Sequence, residues 1–137
     1  MKKIYVGCSI AHAPDEYLAE IAEFKNLIKK EIDCEILEFV PKGTGTPEYV
    51  YMHDIHEMVP SCNIMVAEVR YPSLGLGWEM ATIVEKFKKP ILMCAKEGTN
   101  VSKLVQGAAN SKNPNCTFIR YEKMTDLIPH IKKILEV

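Results

Sequence analysis

The stretch from Asn63 to Val69 places apolar side chains on consecutive positions, Ile64-Met65-Val66-Ala67, where a half-exposed strand would alternate. Such a run suits a strand covered on both faces, and strands of that kind belong to parallel sheets flanked by helices. Apolar and amphipathic segments alternate along the rest of the chain. Ile4-Tyr5-Val6 ends at Gly7-Cys8-Ser9, and Cys34 to Val40, Ile91 to Ala95 and Cys116 to Tyr121 read as further strands. Helical spacing follows each strand: a helix opened by Pro14-Asp15-Glu16, then Glu48 to Met58, Trp78 to Phe87, Gly98 to Ala109 begun by Thr99 or Asn100, and Thr125 to Leu135. Pro129 fits the last of these only in its first turn, where a missing N–H costs little. The first helix carries a stripe of Leu18, Ile21, Phe24 and Ile28, cleaner than the alternative that needs the Lys25 stem to snorkel. Pro41 to Pro47 is a loop.

Five strands alternating with five helices predict an α/β fold, a flavodoxin-like doubly wound five-stranded parallel sheet of order 2-1-3-4-5 in three layers. At 137 residues, with no repeat or linker, the expectation is one domain over residues 1–137. In that order strands 1 and 3 meet at the switch point, where ligands bind beyond the carboxyl ends of the strands. The loop at Ser9 and the Pro/Gly turn from Pro72 to Gly77, with Glu79 in the first turns of the helix beyond, would then share one pocket.

A net charge of -1 provides no basic field for nucleic acid or an anionic membrane, so a small-molecule partner is expected. No apolar run approaches the roughly 18 to 20 residues that span a bilayer, and a cytoplasmic protein is expected. The cysteines, Cys8, Cys34, Cys62, Cys94 and Cys116, form no Cys-x-x-Cys and should be reduced thiols. His53, His56 and Cys62 lack a second ligand pair at zinc spacing, so neither metal nor cofactor is expected. A receiver domain would need an acidic pair after strand 1, where Gly7-Cys8-Ser9 stands instead. Neither Gly-x-Gly-x-x-Gly after strand 1 nor Gly-x-x-x-x-Gly-Lys-Ser/Thr occurs.

Four segments carry a resemblance. Lys3-Ile4-Tyr5-Val6-Gly7-Cys8-Ser9-Ile10, Asp54-Ile55, Val66-Ala67-Glu68-Val69 with Pro72-Ser73-Leu74-Gly75-Leu76-Gly77-Trp78-Glu79, and Val101 to Ala109 stand in the order of the nucleoside 2-deoxyribosyltransferase superfamily. Within it the chain most resembles the 2'-deoxynucleoside 5'-phosphate N-hydrolases. The resemblance implies cleavage of the N-glycosidic bond of 2'-deoxyribonucleoside 5'-monophosphates through a covalent glycosyl ester on Glu79. Close to a helix N-terminus, Glu79 should be ionised at neutral pH.

The resemblance further implies that Asp54 orients the nucleophile or handles the proton on the leaving base, with Tyr5 hydrogen-bonding near it. The segment from Asp54 to Val69 is one residue longer than its family counterpart, which makes Glu57 the neighbouring carboxylate to compare. Ser9, Ile10, Ser73, Gly75 and Ser102 fall at substrate-binding positions, with Ser102 reaching the phosphate across a homodimer interface. Trp78 stands beside the nucleophile where tyrosine or methionine is commoner. Ser9-Ile10-Ala11-His12-Ala13 departs from the usual Ser-Ile-Arg-Gly-Gly, so the phosphate-binding arginine is missing at Ala11. His12, Lys42 or Lys103 could replace it. The alternatives are a deoxyribosyltransferase exchanging bases on unphosphorylated deoxynucleosides, a non-catalytic nucleotide-binding domain, or a ribonucleotide or NAD glycohydrolase.

Overall fold

The computed structural model describes all 137 residues. Five parallel strands, β1 (Lys2–Cys8), β2 (Cys34–Leu37), β3 (Ile64–Glu68), β4 (Ile91–Lys96) and β5 (Cys116–Tyr121), form one sheet of order β2-β1-β3-β4-β5, as the alternation predicts. β3 lies in the middle, and its Ile64, Met65, Val66 and Ala67 have no exposed surface. β1 runs longer than Ile4-Tyr5-Val6, while β2 stops at Leu37 instead of continuing to Val40.

Helices cover both faces. α1 (Asp15–Glu31) and α6 (Ile128–Leu135) enclose one core with Ile4, Val6, Ile64, Val66 and Leu92. α4 (Leu74–Ala81) and α5 (Lys103–Asn110) enclose the other with Tyr5, Met65, Ala67 and Met93. In α1 both proposed stripes are used: Ile21, Phe24 and Ile28 are buried, and so is Lys25. Its stem packs while Nζ stands 4.0 Å from the Phe39 ring centroid and donates to Glu38 Oε2 at 2.7 Å. Leu18 is only partly buried.

After β2 the chain runs through α2 (Pro47–His53), a π-helical turn (Asp54–Met58) and the short α3 (Val59–Ser61) without a break. Thr46 caps α2, its side chain accepting from Tyr49 N–H at 3.2 Å. The Val59 N–H donates to Asp54 C=O, five residues back. A turn closed that way holds one more residue than an α turn. Asp54 is thereby kept inside and Glu57 outside.

A second π-helical turn, Thr82–Phe87, continues α4. α5 begins at Lys103, not near Thr99 or Asn100, because Gly98 has φ +82 and turns the chain. The last segment begins with a 3-10 turn, Met124–Leu127, and Pro129 falls in the first turn of α6. All five cysteines are free thiols, and no helix is long and apolar enough to cross a membrane.

Candidate active site

β1 and β3 lie side by side with Tyr5 paired to Met65, Gly7 to Ala67 and Cys8 to Glu68. The chain leaves β1 towards α1 on one face and leaves β3 towards α4 on the other, which creates the switch point. Gly7 lets α4 approach. A Cβ there would stand 2.7 Å from Met65 Cε and 2.9 Å from Leu76 Cδ1.

Ser73 caps α4, its Oγ accepting from Leu76 N–H at 3.1 Å. The helix therefore begins at Leu74, and Gly75 and Gly77 are helical residues; the Pro/Gly turn expected as far as Gly77 is shorter. Glu79 is the sixth residue of α4, beyond the first turn where the helix dipole acts most strongly. It follows Leu76 by one turn on the buried side and is 8% exposed.

The Tyr5 hydroxyl, fully buried on β1, donates to Glu79 Oε2. Asp54 lies close enough for its charge to act on both Tyr5 and Glu79. Asp54 is itself 8% exposed; its Oδ1 accepts from Val40 N–H at 3.3 Å and from His53 Nδ1 at 2.8 Å. Burial pushes the Glu79 carboxyl up from 4.5 to about 8, with the Tyr5 hydrogen bond opposing the shift and the Asp54 charge adding to it. This overturns the expectation that Glu79 is ionised at neutral pH. The dipole's contribution of roughly 0.3 to 1 kcal/mol belongs to exposed first-turn charges, whereas removing a carboxylate from water costs several kcal/mol.

Tyr5, Asp54 and Glu79 are thus brought together, and the other expected residues lie around them. Ser9 is buried with its hydroxyl donating to Pro72 C=O at 3.3 Å, tying the loop after β1 to the loop after β3. Ile10 packs against the α1 side of the core. Gly75 is open, with only Ser73 Oγ, at 4.0 Å, near the place of a Cβ. Ser73 and Ser102 line a cleft of about 610 Å³ between α4 and α5, together with His12, Arg70 and Asn100. Tyr5, Asp54 and Glu79 are not on its wall. Trp78 is exposed and meets Tyr51 edge-on at 6.1 Å. His53, His56 and Cys62 are not brought together: His53 bonds Asp54, His56 packs edge-on against Tyr51, and the Cys62 thiol donates to Val59 C=O.

One cluster was not foreseen. Glu68, at the end of β3, accepts from the hydroxyls of Tyr17 (3.3 Å) and Tyr121 and from Arg70 N–H (2.6 Å). Arg70 donates through Nη2 to Glu20 at 2.8 Å and lies over the rings of Tyr17 and Tyr71. A cation in the loop after the central strand was the available signal, since ligand-facing loops follow the carboxyl ends of strands.

No protein-family model matches the chain. Sequence relatives provisionally named 2'-deoxynucleoside 5'-phosphate N-hydrolase 1 are 29% identical over 110 residues in Thermofilum pendens and 35% identical over 88 residues in Syntrophotalea carbinolica. The matches take in 80% and 63% of this chain, and 73% and 57% of those proteins. Among solved structures, the Clostridium botulinum CMP N-glycosidase BcmB superposes with TM-score 0.69 at 17% identity, over 96% of this chain and 99% of that one. A 2-deoxyribosyltransferase from Leishmania mexicana superposes with TM-score 0.67 at 15% identity, over 97% and 98% of the two chains.

Proposed function

The chain belongs to the nucleoside 2-deoxyribosyltransferase superfamily, a superfamily of enzymes, and on that premise we propose that it cleaves the N-glycosidic bond of 2'-deoxyribonucleoside 5'-monophosphates, releasing free base and deoxyribose 5-phosphate. The observation that carries this proposal is the burial of Glu79 against the Tyr5 hydroxyl with Asp54 beside it. The names of the sequence relatives supply the substrate class.

The ionised Glu79 carboxylate attacks C1' of the sugar. The C1'–N bond breaks, its electron pair leaves with the base, and the base nitrogen takes a proton that Asp54 relays from solvent. An ester now joins Glu79 to C1'; water attacks that carbon, the ester C1'–O bond breaks with its electrons returning to Glu79, and the proton of the water passes to the carboxylate pair. Tyr5 donates to the attacking carboxylate and fixes its direction. Because burial holds the Glu79 carboxyl at about 8, kcat/KM should rise with pH towards that value. Ser9, Ile10, Ser73, Gly75 and Ser102 hold the sugar phosphate, with Ser102 coming from the second copy in a homodimer. Ala11 favours a second outcome for the same ester, capture by another base on an unphosphorylated deoxynucleoside.

The test is a panel of deoxynucleosides and their monophosphates, incubated with and without an acceptor base while free base is followed by chromatography. Release from monophosphates that Glu79→Ala abolishes supports the proposal, exchange on nucleosides supports the second outcome, and release undiminished in Glu79→Ala overturns both.

A further inference from the structure

The sequence lacks an arginine at position 11, yet the cleft between α4 and α5 has a permanent cation on its wall. Among the residues lining it, Arg70 is the only cation whose charge does not depend on pH near neutrality, and Glu85 is the only carboxylate. Of the replacements read from the sequence, Lys42 and Lys103 are exposed and absent from this wall, while His12 is on it. We propose that Arg70 is the anion anchor of the site and holds the substrate's 5'-phosphate, a role that rests on the nucleotide reading above.

The guanidinium has five N–H donors, and the protein engages few of them. Nη2 donates to Glu20, whereas Nε is buried without a hydrogen-bond partner, 3.5 Å from Glu68 Oε2. Its plane is held by the rings of Tyr17 and Tyr71, with centroids 4.9 and 5.7 Å from the guanidinium carbon. A fork fixed in advance loses little freedom when a phosphate arrives, and Arg–phosphate pairs are charge-assisted and often bidentate. Lysine would offer a point charge on a flexible stem.

The position fits the reaction. Arg70 precedes the Ser73 cap by three residues, on the loop that Ser9 ties to β1. From Ser73 to Glu79 the helix rises about 9 Å, a span that separates a phosphate at the start of α4 from a sugar carbon at the nucleophile. Glu68 already accepts from two tyrosine hydroxyls and the Arg70 N–H, so its charge is well compensated. Glu20 differs: its side chain is 47% exposed and holds Nη2 from the outside. It lies off the cleft wall and competes with a phosphate in the cleft for the guanidinium.

The full chain is titrated calorimetrically with deoxyribose 5-phosphate and with deoxyribose, using wild type, Arg70→Gln, Arg70→Lys and Glu20→Gln. Expected are a loss of at least tenfold in affinity for the phosphate in Arg70→Gln, a smaller loss in Arg70→Lys, and a severalfold gain in Glu20→Gln, with deoxyribose unaffected. Glu20→Gln changes a surface group and is informative even if the Arg70 variants melt early. Wild-type phosphate affinity in Glu20→Gln, or in a folded Arg70→Gln, overturns the proposal. The two ideas fail separately. Arg70-dependent binding without base release from any nucleotide leaves the anchor standing and removes the reaction, and monophosphate cleavage with unchanged KM in Arg70→Gln does the reverse.

Discussion

Glu68 and Glu79 are both buried near the carboxyl ends of the central strands, and the protein supplies them very differently. Glu68, 1% exposed, accepts from two tyrosine hydroxyls and a backbone N–H, with the Arg70 cation alongside. Glu79 has one side-chain donor, Tyr5, and the negative charge of Asp54 for a neighbour. Burial pushes both carboxyls up, but for Glu68 the other influences all oppose the shift. A buried acid surrounded by donors braces the fold. One left short of donors beside a second acid retains lone pairs for chemistry, and it is this shortage, more than burial, that distinguishes a reactive carboxylate.

Exchanging the two acids breaks the comparison most sharply. Glu79→Ala should lower base release by about 10³-fold or more, while Glu68→Gln should cost about 1 to 3 kcal/mol of stability and leave turnover per folded molecule within a few-fold. Chromatography of released base with thermal melting of both variants checks this. If Glu68→Gln loses activity as completely, the division of roles is wrong.

The next effect is on stability against pH. The Glu79 carboxyl titrates at about 8 in the folded protein against 4.5 ordinarily, so between those values the folded state binds more protons than the unfolded one. Its contribution is fully present below 4.5, declines as pH rises, and is lost through about 8. Urea unfolding at several pH values should show wild type losing on the order of a few kcal/mol across that window relative to Glu79→Gln. Parallel curves would place Glu79 in water.

Tyr5→Phe removes the one donor that lowers the Glu79 carboxyl. The rising limb of kcat/KM should move to higher pH, with roughly a tenfold loss at neutral pH, measured as a pH–rate profile. The smallest effect belongs to Gly75, whose Cβ position is nearly empty. Gly75→Ala should raise stability by about 0.5 to 1 kcal/mol while weakening substrate binding beside Ser73, a split that melting and KM read separately.

The sheet was legible because a strand covered on both faces must be apolar throughout, and Ile64 to Ala67 could be little else. Helix starts were less so. Pro72 to Gly77 has the composition of a turn, yet Ser73 caps a helix that accepts both glycines, and Gly98 turns where a helix start was read. Of the candidate site, Tyr5, Asp54 and Glu79 could be named from motifs. The protonation of Glu79 could not, since it depends on how much water the fold removes. The Glu68 brace was hidden for another reason: its tyrosine partners lie 51 and 53 residues away along the chain.

The central claim is that Glu79 bonds covalently to the sugar. Rapid acid quenching of the protein during turnover of a 2'-deoxyribonucleoside 5'-monophosphate, followed by peptide mass spectrometry, tests it directly. A deoxyribose 5-phosphate adduct on Glu79, absent after Glu79→Gln, is the predicted result; an adduct on Glu68 or Asp54, or steady base release with every carboxylate unmodified, would contradict it.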